Sequence, residues 1–252
     1  MASSASGKKK RSILNKNEVL AYLQSQGLSP NKAYGQHFLI SKKYVEAIVT
    51  AIGPKPDDSI LEIGPGPGIL TAPLSNLVQK LVCVEIDAGF VRLLQEQFAA
   101  KKQVIIVHND FLKMPPIEGC RCIVGNLPYN VSSQIIFKIA KYYSVSECFF
   151  LIQKELAERL VALPGSSMYS AFSVSVQLYF NLHKLFDIPP QAFYPLPKVN
   201  STFIKLLRKQ KLPLQHDEIQ VFEKLVAAAF WGRRKMFKTA LKRSPYIQYS
   251  EE

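Results

Sequence analysis

Between residues 59 and 152 the chain alternates short, almost wholly apolar runs with amphipathic stretches. The runs are SILEI (59–63), LVCVEI (81–86), QVIIVH (103–108), RCIVGN (121–126) and ECFFLI (147–152). Runs this short and this apolar predict strands covered on both faces. The stretches between and flanking them predict helices over Ser41–Ile52, Ile69–Gln79, Ala88–Ala99, 131–142 and 153–162. Pro73 is tolerable only near a first helical turn. Strand and helix in strict succession predict a parallel sheet with helices on both sides, an α/β fold.

The pattern changes after Gly165. Phe172, Val174, Val176, Leu178 and Phe180 alternate with Ser173, Ser175, Gln177 and Tyr179. That period of two predicts a half-exposed strand, followed closely by HKLFDI (183–188). PPQAFYPLPK (189–198) is too rich in proline for a helix interior or a central strand. STFIKLL (201–207) reads as one more strand, and helices are expected near 216–230 and 232–243. Upstream, 17–26 reads as a short helix stopped by Gly27, and residues 1–15 as a polar, basic arm. We therefore expect an arm over 1–15, a catalytic unit over 16–187 and a small helical lobe over 188–252.

Charge sharpens this division. The 252 residues carry 32 Lys and Arg against 19 Asp and Glu, a net charge of +13. The balance is +5 over residues 1–32, +1 over 33–187 and +7 over 188–252. A near-neutral middle with basic ends points to a polyanionic partner, most often nucleic acid. No apolar run reaches the roughly 20 residues of a membrane span, so a membrane partner is not expected. Cys83, Cys120, Cys122 and Cys148 lie in or beside apolar runs. A lone C-x-C without a nearby His argues against a metal site and for reduced cysteines in a cytoplasmic protein.

The polar exceptions in the apolar runs carry the chemistry. Glu62 to Gly68 (E-I-G-P-G-P-G) puts a glycine-rich turn directly after a strand. There the backbone can pass close to a ligand. The next strand ends in Glu85-Ile86-Asp87, where an acid can accept hydrogen bonds from ribose hydroxyls. The third ends near Asp110-Phe111, an acceptor for an exocyclic amine. Acids at consecutive parallel strand ends converge on one crevice. This much fits a nicotinamide-dependent oxidoreductase or an S-adenosylmethionine (SAM) methyltransferase. The fourth strand runs into Asn126-Leu127-Pro128-Tyr129. A carbonyl acceptor beside an aromatic platform suits a planar base bearing an amine.

With these motifs, the sequence resembles the ribosomal RNA adenine dimethyltransferases, N6-adenine methyltransferases that use SAM. The resemblance spans about 30–243. It includes Gly35-Gln36-His37-Phe38-Leu39, Gln153-Lys154-Glu155, Pro195-Leu196-Pro197-Lys198-Val199, and Phe230 through Arg233-Arg234-Lys235. It looks closest to the bacterial branch that dimethylates two adjacent adenosines near the 3′ end of small-subunit (16S) rRNA. The Pro-rich loop and the Arg-Arg-Lys segment favour that branch over the large-subunit, antibiotic-resistance type. Two departures stand out: His37 where asparagine is commoner, and Ser170 where glycine is usual.

The resemblance implies a Rossmann-like class I fold with a mostly parallel seven-stranded sheet and a small C-terminal helical lobe. It places SAM against Gln36, His37, Leu39, Gly64, Gly66, Glu85, Ile86, Asp110, Phe111 and Asn126. It places the target adenine with Asn126, Leu127, Pro128 and Tyr129, with Phe193 closing from the other side. Small-subunit rRNA or the immature 30S particle is the implied partner, the protein acting as a monomer without metal. In the basic segment 233–243, Arg234, Lys238 and Lys242 share one helical face, and Arg233 and Lys235 add charge nearby. That face is expected to meet phosphate, with Phe230, Phe237 and Leu241 packing against the lobe. An RNA-binding assembly factor in which catalysis is secondary is the alternative from a different class.

Overall fold

The computed structural model describes residues 16–25, 27, 30, 35–232 and 236–247. Arg233, Arg234 and Lys235, and the arm over 1–15, lie outside the described residues.

The five apolar runs form β2 (Ser59–Ile63), β3 (Lys80–Glu85), β4 (Val104–His108), β5 (Cys122–Asn126) and β6 (Glu147–Gln153). A two-residue β1 (Phe38–Leu39) precedes them. β7 (Phe180–Ile188), β8 (Phe193–Tyr194) and β9 (Ser201–Arg208) follow. Seven strands make one sheet in the order β4-β3-β2-β5-β6-β9-β7, and β1 pairs with β8 separately. β2 to β6 are mutually parallel where they pair, and β9 runs antiparallel to both β6 and β7. This is the expected mostly parallel, seven-stranded class I arrangement.

Successive residues of the central strands feed two separate cores, so no polar alternation shows in the sequence. Ile60, Leu81, Cys83, Cys122, Val124, Phe149 and Leu151 enter one core. It is covered by α2 (Lys42–Ile52), α3 (Thr71–Leu74) and α4 (Ala88–Gln97), with Leu23 of α1 (Lys16–Ser25). Leu61, Ile63, Val82, Val84, Ile123, Cys148, Phe150 and Ile152 enter the other. That one lies under α5 (Ser132–Tyr142), α6 (Lys154–Val161) and α7 (Ala171–Tyr179). All four cysteines are free thiols, three of them buried. Among the described residues no group of acidic, His or Cys side chains could hold a metal ion, and no helix is long and apolar enough to cross a membrane.

Four expectations need correction. The helix expected over 69–79 is regular only at Thr71–Leu74: Pro73 lacks the N–H that would bond Ile69 upstream, and beyond Leu74 the Asn76 and Leu77 N–H groups bond three residues back, not four. The strand expected over 172–180 is helix α7. Ser173 and Gln177 face a helix end rather than water. Ser173 Oγ donates to the Arg159 carbonyl at 2.6 Å, and Gln177 Nε2 to Leu160 and Ala162 at 2.7 and 2.9 Å. Ser170 starts the helix with a reciprocal capping box to Ser173.

The lobe expected over 188–252 is also not one unit. β9 sits between β6 and β7, so residues through Arg208 belong to the sheet. The helical part is α8 (His216–Trp231) and α9 (Phe237–Arg243). Ile219 and Phe222 of α8 pack on the second core. Finally, Phe237 is 63% exposed rather than packed, whereas Phe230 meets Tyr169 edge-on at 6.1 Å.

Candidate active site

The carboxyl ends of β2, β3, β4 and β5 open on one cavity. It lies where the chain order reverses on either side of β2, the place an open parallel sheet offers a ligand.

The glycine turn leaves β2 through Gly64, whose φ is +64°. A Cβ built there would meet nothing within 4 Å, so the bare backbone faces open space that a ligand can enter. Behind the turn, Glu85 Oε2 accepts from Gly66 N at 2.9 Å. Its Oε1 accepts from Ile86 N and Asp87 N, both at 2.9 Å. Burial raises the Glu85 carboxyl, and these three N–H donors oppose that rise. Asp87 itself caps α4 through Gly89 and Phe90. Beyond β4, Asp110 Oδ1 accepts from Leu112 N at 2.9 Å, and Phe111 lies at the wall.

The other side of the cavity is built around Asn126 at the end of β5. Its Nδ2 donates to the His37 carbonyl at 2.6 Å. A carbonyl can only accept, so this contact fixes the amide orientation and reserves Oδ1 as an acceptor. The strand reaches this point through Gly125, where any side chain would collide. A Cβ would lie 2.7 Å from the Ile63 carbonyl oxygen. Tyr129 is held at both ends. Its ring stacks on His37 with centroids 5.2 Å apart, and its hydroxyl meets Ser201 Oγ at 2.6 Å. The His37 ring is held in turn, Nδ1 donating to the Pro195 carbonyl at 2.7 Å.

Twelve of the fourteen residues expected at the cofactor and target sites line this one cavity. They run from Gln36, His37, Gly64 and Gly66 through Glu85, Ile86, Asp110 and Phe111 to the Asn126–Tyr129 segment. Leu39 and Phe193 do not. They are partners across β1 and β8, each 2% exposed, and both belong to the first core. The apolar core claims Phe193, so it offers no face for stacking. Phe38, not Leu39, reaches the cavity. Its ring packs where a side chain on Gly66 would stand, 3.0 Å from that Cβ position, and edge-on to Phe90 at 5.3 Å. Asn109 also lines the wall, and Ser201 anchors Tyr129. No local pattern signals Phe38 or Ser201; each matters through a partner far away in sequence. Of the basic residues, Lys238 and Lys242 are exposed on α9.

Residues 27–248 match the family model described as ribosomal RNA adenine dimethylase. The chain belongs to the ribosomal RNA adenine dimethylase family. It is thus a SAM-dependent rRNA adenine methyltransferase. A Xylella fastidiosa protein named ribosomal RNA small subunit methyltransferase A is 36% identical over 218 residues, 83% of this chain and 82% of the relative. A Bordetella pertussis protein of the same name is 40% identical over 220 residues, 83% and 80% of the two chains. Among solved structures, a dimethyladenosine transferase from Plasmodium falciparum superposes with a TM-score of 0.72 at 28% identity, over 81% of this chain and 74% of that one. The 23S rRNA methyltransferase ErmE gives 0.69 at 26% identity, over 82% and 84%.

The residues present fit SAM. The bare Gly64 backbone leaves room for close approach, Glu85 is a pre-aligned carboxylate, and Asp110 and Ile86 offer an acceptor and an apolar surface.

Proposed function

We propose that this protein methylates N6 of adenosines in small-subunit rRNA, two methyl groups per base, using the cavity at the ends of β2 to β5. The fixed amide of Asn126 carries this reading. The N6 lone pair is delocalised into the adenine ring, so the amine is a poor nucleophile. Asn126 Oδ1 and the Leu127 carbonyl accept the two N6 hydrogens, localise the lone pair and aim it. Bound SAM supplies an electrophilic methyl group on a positively charged sulfonium. Tyr129, braced by His37 and Ser201, stacks on the extruded base. Stacking of about 1–3 kcal/mol offsets part of the extrusion cost. The product ammonium is acidic enough to lose its proton to water, so no strong base is needed.

Gly64, Glu85 and Asp110 are the cofactor's holders in this reading, Glu85 at the ribose and Asp110 at the adenine amine. Lys238 and Lys242, with Arg233, Arg234 and Lys235, supply the phosphate contacts. The immature small ribosomal particle is the substrate form, and one copy of the chain acts in the cytoplasm. The choice of the small subunit is supported by the names of relatives at 36–40% identity, against 26% for the large-subunit enzyme ErmE.

Labelled SAM, offered with unmethylated small subunits, large subunits and free rRNA, tests this directly. Dimethyladenosine should map to small-subunit rRNA; label confined to the large subunit refutes the assignment. Asn126→Ala should lose at least about a hundredfold in turnover while still binding S-adenosylhomocysteine, and near-normal turnover would overturn the role of the amide. Lys238→Gln with Lys242→Gln should flatten the dependence of log affinity on log salt by roughly one to two.

A further inference from the structure

The turn after β4 places Asp110, Phe111 and Leu112 on the cavity wall. Its outer side is held by one side chain that the reading above leaves unused. Lys138, on α5, donates through Nζ to the Phe111 carbonyl at 2.7 Å, to the Leu112 carbonyl at 3.1 Å and to the Met114 carbonyl. An ammonium has three protons, and three converging carbonyls take them all. Within the turn, Lys113 N and Met114 N donate back to the Asp110 carbonyl at 2.9 and 3.1 Å. The turn is therefore a single helical winding. Its N-terminal residue, Asp110, borders the cavity, and its carbonyl end is closed by a cation. The Lys138 ammonium also lies 5.4 Å from the centroid of the Phe111 ring. Ile135, one turn earlier on α5, lines the same cavity. The lysine thus ties α5, which follows the target loop, to the turn that carries Asp110.

We propose that Lys138 is a positioning residue that sets the enzyme's preference for adenine in the cofactor, by fixing the turn that holds Asp110. The proposal rests on the reading that Asp110 accepts from the adenine amine. Lys138 does not touch the cofactor, and its ammonium is committed to three carbonyls, so it is not a phosphate ligand. Its removal strands three acceptors, and the turn must rewind to find other donors. Asp110 then leaves the position from which it tells an amine from a carbonyl.

The test is calorimetric binding of S-adenosylhomocysteine and of its 6-oxo analogue, S-inosylhomocysteine, to wild type, Lys138→Met and Asp110→Ala. Wild type should prefer the adenine form at least about tenfold. In Lys138→Met, affinity for the adenine form should fall about tenfold, affinity for the 6-oxo form should change little, and the preference should collapse. A merely structural role would weaken both ligands alike. If Lys138→Met proves too unstable, Lys138→Gln keeps two donors without the charge and should lose part of the preference. Collapse in Asp110→Ala but full preference in both Lys138 variants overturns the role of Lys138 alone. No preference in wild type, or full preference in Asp110→Ala, overturns the reading of Asp110 and the proposal with it.

Discussion

Glu62 stands at the end of β2 with its carboxyl wholly inside the protein, 2% exposed. Its Oε2 accepts from the Thr71 hydroxyl at 2.7 Å and from the Cys83 thiol at 3.7 Å. The acid thereby joins the start of the glycine turn to α3 at its far end. Burial pushes the carboxyl up to about 7 from 4.5, and the two donors and Glu85 modify this less. The folded state thus binds this proton more tightly than the unfolded chain. The contribution to stability is complete below pH 4.5 and is lost as pH rises through 7. At ~1.4 kcal/mol per pH unit, the span from 4.5 to about 7 amounts to about 3 kcal/mol. Glu62→Gln removes the titration and keeps a carbonyl oxygen for Thr71 and Cys83. Urea unfolding of both proteins at pH 5 and pH 8 isolates the effect, because other titrations largely cancel in the difference. Relative to wild type, the glutamine variant should gain about 2–3 kcal/mol on going from pH 5 to pH 8. Parallel pH profiles would refute the reasoning.

Two other substitutions separate the site from its support. Gly125→Ala drives a Cβ to 2.7 Å from the Ile63 carbonyl oxygen and 3.0 Å from Leu127 Cδ2. It should cost about 1–3 kcal/mol in stability and lower kcat up to about a hundredfold by displacing Asn126; near-normal kcat in a thermally stable variant would contradict the geometry. Arg208 donates to the carbonyls of Ile139, Ala140, Tyr143 and Val145 at the end of α5, and stands 4.3 Å over the Phe180 ring. It lies at the end of β9 beside the start of β6, opposite the strand ends that open on the cavity, so Arg208→Met should lower stability by about 2–3 kcal/mol and leave kcat of the folded enzyme intact, as urea midpoints and rates at low temperature will show.

The features legible in the sequence are those whose cause is local. β2 to β6 appear as apolar runs because both faces are covered. Glu62, Glu85 and Asp110 stand out because an acid at the end of such a run has few structural reasons to be there. The misreadings have long-range causes. Ser173 and Gln177 gave α7 the look of a strand, yet their partners are carbonyls at the end of α6, 14 to 17 residues back in sequence. STFIKLL reads as lying beyond the catalytic unit because nothing in it says that β9 returns between two earlier strands. Phe193 reads as available because it sits among prolines, but its pairing with Leu39 is visible only once the chain has closed on itself.

The same logic explains why His37 matters more than its motif implied. Its carbonyl sets the Asn126 amide, its ring backs Tyr129, and its Nδ1 holds the Pro195 carbonyl. One residue therefore joins the N-terminal segment, the Asn126–Tyr129 loop and the Pro-rich loop. Asparagine, commoner at this position in the resemblance, keeps the backbone carbonyl that orients Asn126, but has no ring to brace Tyr129. The two contributions are separable. The orientation of the Asn126 amide depends on the main chain of residue 37, whereas the bracing of the Tyr129 ring depends on its side chain. A histidine here stiffens Tyr129 without altering the contact that orients Asn126, so under the proposed function the departure bears on how firmly the extruded base is held and not on how its amine is activated.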